Sequence, residues 1–500
     1  MTLDWKTCSQ ARLSRDMRFD GKFFIGVRTS GVYCRPICPA RTAQEKNVRY
    51  FATAAGAAEA GFRPCLRCRP ECSPGTPAWL GTSNTVSRAL RLIDESAIAD
   101  ERIEALAERL GVGSRHLRRL FLLHLGATPI AVIHTRRLHF AKKLIDETKL
   151  AMSEVAFASG FGSVRRFNAA IQKTYARTPR QIRLLARRKE VQPDNQYLFR
   201  LRFPPPYQWD ILLKFLAARA IPGVETVEGN SYRRTISLDG SQGSINVSFD
   251  SARTALVAQI EFDNPRSLFA IVERIRNLFD LNADWQSIAA GLAKDRELSA
   301  RLRKAPGLRV PGCWDGFELA IRAILGQQVT VKGATTLAGR LVRAYGRKLA
   351  SPHGLTHLFP TPEVVATADL NTIGLPASRA ATIRALARAV ADGELKFEGV
   401  IDTETFKAKL CEIPGIGKWT AQYVAMRALR DPDAFPAGDL GLIRGLNARG
   451  ERDLERRSEA WRPWRAYAAM YVWNVDAERR ENTDPVISHM RRMDRPEQTA

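Results

Sequence analysis

The sequence predicts a multidomain α+β protein. It reads as a small α/β module at the amino end, an all-α segment, an antiparallel β subdomain and a helical carboxyl-terminal body. Three observations carry this. Five hundred residues at 45% hydrophobic content exceed what one core uses, because a domain takes roughly 100–200 residues. The apolar periodicity is helical between 77 and 187, alternates over parts of 196–270, and is helical again from 314 onward. Four cysteines form two close pairs, Cys34/Cys38 and Cys65/Cys68, among chain-breaking prolines.

Three stretches read as seams: Cys72–Pro77, rich in turn residues; the charged run 187–195; and Leu308–Gly312. They divide the chain into expected units at 1–76, 80–186, 196–307 and 308–490. The 26% charged and 8% aromatic fractions exclude a wholly disordered or fibrous chain. No window approaches the roughly 18 consecutive apolar residues of a membrane span. Residues 1–25 lack the apolar run of a secretory signal, so the expectation is a cytoplasmic protein with no membrane partner. Net charge is +25, unevenly spread: residues 1–190 hold 34 basic against 16 acidic residues, the remainder 43 against 36. A dense positive field attracts polyanions, with nucleic acid as the leading partner and a solvated basic surface as the bland alternative.

The cysteine quartet is spaced Cys34-x3-Cys38, 26 residues, Cys65-x2-Cys68. Two close pairs on turns let four thiolates converge tetrahedrally on one ion, so zinc is the expected cofactor and a purely structural clip the plain alternative. Cys8, Cys72, Cys313 and Cys411 receive no role. Phe23-Phe24, Val27-Arg28-Thr29, Gly31-Val-Tyr-Cys34-Arg-Pro, Asn47-Val48 and Ala60-Gly-Phe-Arg-Pro-Cys65 resemble the amino-terminal domain of the Ada family of adaptive-response proteins. The resemblance implies that Cys34 accepts a methyl group from a methylphosphotriester in DNA. Thiolate is the nucleophile, and zinc keeps it deprotonated. Methylation would take a four-thiolate site from about −2 to −1 in charge and weaken its repulsion of phosphates. The Pro-Cys-His-Arg tetrapeptide of that family's methylguanine-repair domain is absent, so O-alkylguanine repair is not expected.

The all-α segment holds a repeat. Ala107-x3-Gly111 recurs as Ala156-x3-Gly160, and Gly126-Ala-Thr-Pro129 is echoed by Ala176-Arg-Thr-Pro179. Ser114 and Ser163 suit N-caps of the helices that follow. Those helices carry apolar stripes (Leu117, Leu120, Phe121; Val164, Phe167, Ile171) and basic faces (Arg115, Arg118, Arg119; Arg165, Arg166). A small residue under a glycine turn lets two helices cross closely, as a helix-turn-helix requires. The segment resembles the AraC-type DNA-binding domain, which has two such units joined by a long helix. The alternative is a basic helical bundle that binds a protein partner.

Tyr232–Leu238, Ser244–Phe249 and Ala255–Phe262 read as antiparallel strands. Further on, Leu410-Cys-Glu-Ile-Pro-Gly415-Ile-Gly417-Lys-Trp-Thr-Ala421 reads as a helix-hairpin-helix, with outward amides able to hold a phosphate. Pro436-Ala-Gly-Asp439 precedes another helix, and Asp439 taken alone is equally an N-cap for it. Trp419 and Tyr423, four residues apart, share a helix face. The whole resembles the helix-hairpin-helix glycosylase superfamily, and residues 197–475 resemble DNA-3-methyladenine glycosylase II. Phe317–Thr330, Pro414–Ala421 and Trp461–Tyr467 support this.

That resemblance implies that Asp439 stabilises the oxocarbenium sugar while Trp419, Tyr423 and Trp473 stack a cationic flipped base. Trp461 and Trp464 are expected in the core. Lyase members carry lysine where Trp419 stands, so hydrolysis without lyase chemistry is implied, with Lys418 pointing elsewhere. The family's wedge leucine is replaced by Gln328. The expectation is a DNA alkylation-damage protein: a glycosylase for alkylated purines fused to a methylphosphotriester acceptor and a sequence-specific DNA-binding module. Its partners would be alkylated double-stranded DNA, promoter DNA and RNA polymerase. The competing reading is a transcription regulator whose carboxyl half only grips DNA.

Overall fold

A computed structural model describes residues 4–73, 84–95, 103–185, 195–349, 354–400 and 402–483. The first two expected seams therefore fall largely outside the described residues. At the amino end, four strands, β1 (Phe24–Val27), β2 (Val32–Cys34), β3 (Val48–Phe51) and β4 (Arg63–Pro64), form a sheet ordered β3-β1-β2-β4, with only the β2–β4 pairing parallel. Gly26 on β1 leaves room for two rings: a Cβ there would lie 2.7 Å from Phe51 and 2.9 Å from Phe62.

The repeat folds as two superimposable corners. Ile103–Arg109 turns through Gly111 (φ +66°) into Ser114–Leu125, and Met152–Ala158 turns through Gly160 (φ +77°) into Val164–Tyr175. The backbone bonds repeat as well. Val112 donates to the Ala107 carbonyl and Phe161 to Ala156, each at 3.0 Å. Ser163 caps its helix, accepting from the Arg166 amide. Ser114 does not occupy the expected cap position: it is the first helical residue, and Gly113 stands at the cap in extended geometry. Glycine precedes the serine in both copies (Gly113, Gly162), so the earlier start of the first helix has no cause in the local sequence. Pro129–Glu147 joins the units, started by Thr128 as cap and proline in the first turn.

The second sheet comprises β5 (Gln196–Arg202), β6 (Glu225–Glu228), β7 (Ser231–Leu238), β8 (Ser241–Asp250) and β9 (Ala255–Phe262), all antiparallel and ordered β5-β9-β8-β7-β6. The three expected strands are β7, β8 and β9; the edges β5 and β6 are additions. A helix, Trp209–Ala217, also lies in this stretch. The supposed seam at Leu308–Gly312 is packed inside the protein. Arg309 is 1% exposed, and its guanidinium donates to the Pro204 and Pro206 carbonyls at 3.0 and 3.1 Å. Three helices between Leu268 and Lys304 precede it.

The parts interlock. Phe140 of the joining helix stacks on Phe199 of β5 and meets Phe269 edge-on at 5.0 Å, so helical segment and sheet share one apolar core. The amino-terminal module bonds to the first corner through Thr53 Oγ1 to the Leu125 carbonyl (2.8 Å) and through Glu59, which accepts from the Thr128 amide (3.1 Å). Tyr33 and His139 share a hydrogen bond of 2.8 Å. No helix among the described residues is long and apolar enough to cross a membrane.

Burial pushes the His139 imidazole down to about 4, with Glu71 opposing and Lys142 reinforcing the shift. Below the ordinary value of 6.5 the unfolded chain binds a proton that the folded chain refuses, so stability is lost as pH falls from about 6.5 towards 4. His139→Gln is expected to flatten that part of a denaturation profile measured from pH 7 to 4; an unchanged slope would assign the loss to other groups.

Candidate functional site

A cleft of about 1610 Å³ opens beside the hairpin and is walled by Trp419, Tyr423, Trp473 and Asp439, among others. Asp439 is indeed the cap of Leu440–Gly445: its Oδ1 accepts from the Leu442 amide at 3.0 Å. Capping and cleft placement coexist, because the same carboxylate accepts from Trp473 Nε1 on Oδ1 (2.8 Å) and from Trp419 Nε1 on Oδ2 (3.2 Å). Trp419 and Tyr423 stack nearly parallel, 12° apart with centroids 5.6 Å apart, and Tyr423 meets Trp473 at 61°. Trp461 and Trp464 are buried in the core, as expected, and Lys418 is exposed off the cleft.

Phe215, Arg219, Arg322 and Arg427 are among the further residues that line this cleft. Arg427 follows Tyr423 by four residues on one helix, so its place was readable from periodicity; its Nη1 donates to the Tyr423 hydroxyl at 2.9 Å. Phe215 and Arg219 come from the end of the Trp209–Ala217 helix and the turn after it, and no local motif marks them. Burial raises the Tyr423 phenol, yet the guanidiniums of Arg427, Arg219 and Arg322 outweigh it and hold the phenol below its ordinary value.

Of the two hairpin glycines only Gly415 is left-handed (φ +89°), and a Cβ there would fall on the Thr382 hydroxyl, which donates to the Pro414 carbonyl at 2.8 Å. Gly417 caps Lys418–Arg427 at φ −98°, facing open space. Gln327 braces the neighbouring turn, its Nε2 donating to the Gly415 carbonyl (3.1 Å) and Thr420 Oγ1 (3.0 Å). Gln328 then projects, exposed, at the rim with φ +57°.

At the amino end, the Sγ atoms of Cys34, Cys38, Cys65 and Cys68 all lie within 4.8 Å of one another. Cys34 ends β2, and the Cys65 amide donates to the Tyr33 carbonyl at 3.0 Å, which brings the second pair beneath the first. The Arg35 amide donates to Cys68 Sγ at 3.3 Å, and its buried guanidinium is held by Asp20. Hydrogen bonding among the sulfurs splits their acidities. The bond with Cys34 draws Cys38 down to about 7 and lowers Cys65, while Cys34 and Cys68 are pushed up. Four thiolates this close repel one another, so full ionisation requires a cation among them; an all-sulfur donor set suits zinc. On the two corners, Arg118, Arg119, Arg165 and Arg166 are exposed, opposite buried Leu117, Phe121, Phe167 and Ile171.

Four family models match in order along the chain: the metal binding domain of Ada (residues 7–71), a helix-turn-helix domain (106–184), the AlkA N-terminal domain (198–315) and the HhH-GPD superfamily base excision DNA repair protein (321–464). The chain is 42% identical over 482 residues to the probable bifunctional transcriptional activator/DNA repair enzyme AlkA of Mycobacterium tuberculosis (strain H37Rv), covering 94% of this chain and 96% of the relative. It is 35% identical to DNA-3-methyladenine glycosylase 2 of Escherichia coli (strain K12), over 56% of this chain and 98% of that protein. Among solved structures, the 3-methyladenine DNA-glycosylase of Archaeoglobus fulgidus matches with a TM-score of 0.50 and 25% identity, over 56% and 98% of the two chains.

The hairpin glycines should respond oppositely to a methyl group. Gly415→Ala combines a left-handed φ with a clash on Thr382 and is expected to cost at least about 1–2 kcal/mol. Gly417→Ala, extended and facing open space, should lose only the preference of a helix cap for glycine over alanine, about 0.5 kcal/mol. Denaturation of both variants checks this, and equal losses would contradict the backbone geometry.

Proposed function

The chain belongs to the family of bifunctional transcriptional activator/DNA repair enzymes, and from that premise we propose that it hydrolyses the N-glycosidic bond of alkylated purines in DNA and accepts methyl groups from DNA methylphosphotriesters at Cys34. The observation that supports the first activity best is Asp439, which faces an aromatic cleft with both oxygens oriented by indole N–H groups.

An alkylated purine is already cationic, so its departure needs little protonation. The sugar needs help, because it gains oxocarbenium charge as the bond to the base breaks. Asp439 supplies a fixed negative charge at that point, already oriented and requiring little reorganisation. The same carboxylate orients the water that adds to the sugar carbon and takes up its proton. Trp419, Tyr423 and Trp473 offer ring faces to the flipped base, a slot that attracts a flat cation. Gly415 and Gly417 seat a DNA phosphate on the hairpin amides, and Gln328 enters the gap left by the flipped nucleotide. Tryptophan at 419 provides no amine for a Schiff base, so the product is an abasic site.

At the cysteine cluster, Cys34 Sγ attacks the triester methyl carbon. A C–S bond forms, the C–O bond breaks, and the phosphate leaves as an ordinary diester anion. Cys34, Cys38, Cys65 and Cys68 would hold zinc, which would supply the positive charge that keeps their thiols ionised. Methylation removes one negative charge and favours approach to DNA, where Arg118, Arg119, Arg165 and Arg166 meet the duplex. The resulting complex at a promoter would engage RNA polymerase in the cytoplasm. The division of labour follows 1–76, 80–186, 196–307 and 308–490.

Asp439→Asn is expected to bind duplex DNA normally while releasing methylated purines at least about 100-fold more slowly. Undiminished release would remove Asp439 from the mechanism, and no release by the parent protein would leave only a DNA-binding regulator. After incubation with methylated DNA, mass spectrometry of peptides should find S-methylcysteine at Cys34. A methyl group on another cysteine, or on none, would reduce the cluster to a structural clip.

A further inference from the structure

The aromatic cleft has electrically opposite ends. Asp439 receives the indole N–H groups at one. At the other, the Tyr423 hydroxyl accepts from Arg427, and Arg219 interacts with the same side chain. The guanidiniums there are held differently. Arg427 donates to the Pro311 and Gly312 carbonyls at 2.9 and 2.8 Å. Arg322 is paired with Glu225 and Glu318 at 2.9 and 3.0 Å. Arg219 donates to the Phe215 carbonyl at 3.2 Å and lies 3.7 Å from the Phe215 ring centroid, without a carboxylate partner among the described residues. Arg219 is half-buried, and a partly desolvated cation without a counter-anion carries a cost. Its placement on a ligand cleft gives it a role as donor to whatever enters.

Resting on the glycosylase reading above, we propose that Arg219 reads the six-position of the flipped purine and favours guanine-type over adenine-type lesions. If the sugar carbon sits at Asp439, the opposite edge of the base points towards the Tyr423 hydroxyl and Arg219. Guanine presents an exocyclic oxygen there, which accepts from a guanidinium; adenine presents an amino group, which donates and leaves the guanidinium unsatisfied. Repulsion between Arg219 and the lesion's positive charge is common to both bases and cancels in the comparison. A site built around a hydrogen-bond donor discriminates against a ligand lacking the acceptor far better than an apolar slot discriminates by size.

The test uses the full-length zinc-loaded protein and DNA treated with a methylating agent, following single-turnover release of 3-methylguanine against 3-methyladenine and of 7-methylguanine against 7-methyladenine. Each pair shares the methyl position and differs at position six and in the 2-amino group that guanine alone carries. Hypoxanthine, with the six-oxygen and no 2-amino group, is followed as well and should lose release with guanine if position six is what Arg219 reads. Arg219→Met keeps the packing on Phe215 and removes the donors, so the guanine-to-adenine release ratio should fall at least about 5-fold in both pairs. Arg219→Lys keeps the charge without the planar fork and should fall between. Equal losses for both bases in the two variants would make Arg219 a structural element of the cleft wall and overturn the proposal. Should the parent protein release none of the four bases, the glycosylase reading fails, and this inference with it. A variant too unstable to assay is replaced by Arg219→Gln, judged on the same ratio.

Discussion

The carboxylate of Asp439 is the constraint around which the carboxyl half is arranged. Three donors converge on it: the Leu442 amide from its own helix and the indoles of Trp473 and Trp419 from two others. These neutral donors satisfy and orient the acceptor without bringing a countercharge to it. A lysine or arginine in salt-bridge contact would neutralise the charge that a developing cation needs. Indole N–H groups orient the carboxylate while leaving its charge intact. They also bring two π-faces to the same place, so the carboxylate and the aromatic faces of the cleft are fixed by the same residues.

How modular the chain is depends on which boundary is considered. Phe140, Phe199 and Phe269 close one apolar core across the boundary between the helical segment and the second sheet. Burial of that kind resembles a domain interior more than a transient contact between tethered units. At the amino end the contacts are polar and specific. Thr53 bonds the last turn of one basic helix, Glu59 caps the start of the joining helix, and Tyr33, adjacent to Cys34, bonds His139 on that helix. Cys34 therefore lies one residue away from a side chain bonded to the helix that joins the two corners.

What the sequence disclosed follows from how local each signal was. Asp439, Trp419 and Tyr423 sit in contiguous motifs whose spacing carries their meaning, and the cysteine quartet is legible for the same reason. The duplicated corners were visible because each is a short glycine turn; the misplaced cap at Ser114 is a one-residue offset that the local sequence does not explain, since Gly162 precedes Ser163 in the same way. Strand β6, Glu-Thr-Val-Glu, is a short polar edge with no alternating apolar face to announce it. Phe215 and Arg219 reach the cleft from a helix some two hundred residues upstream of Trp419, and only tertiary packing brings them there. Leu308–Gly312 carries the turn residues of a linker, but the carbonyls of Pro204 and Pro206 draw Arg309, and the chain with it, into the interior.

Beneath the cleft lies a buried charge network linking the second sheet to the helix Gly316–Leu325. Glu225 of β6 accepts from Arg322 and from the Tyr232 hydroxyl, and Arg234 of β7 pairs with Glu318 at 2.7 Å. Such a network is weak evidence for stability, since an apolar replacement of the same shape is often as good. Its value here is directional. Arg322 also donates to the Arg219 carbonyl at 2.5 Å, so the ion pairs that fix Arg322 fix the backbone carrying Arg219 as well. The helix holding Arg322 leads directly into Gln327 and Gln328 at the rim. The sheet thus sets the far end of the base slot and the neighbouring turn through one set of bonds. This gives a physical reason for a sheet subdomain that contributes no catalytic acid to remain attached to the helical body.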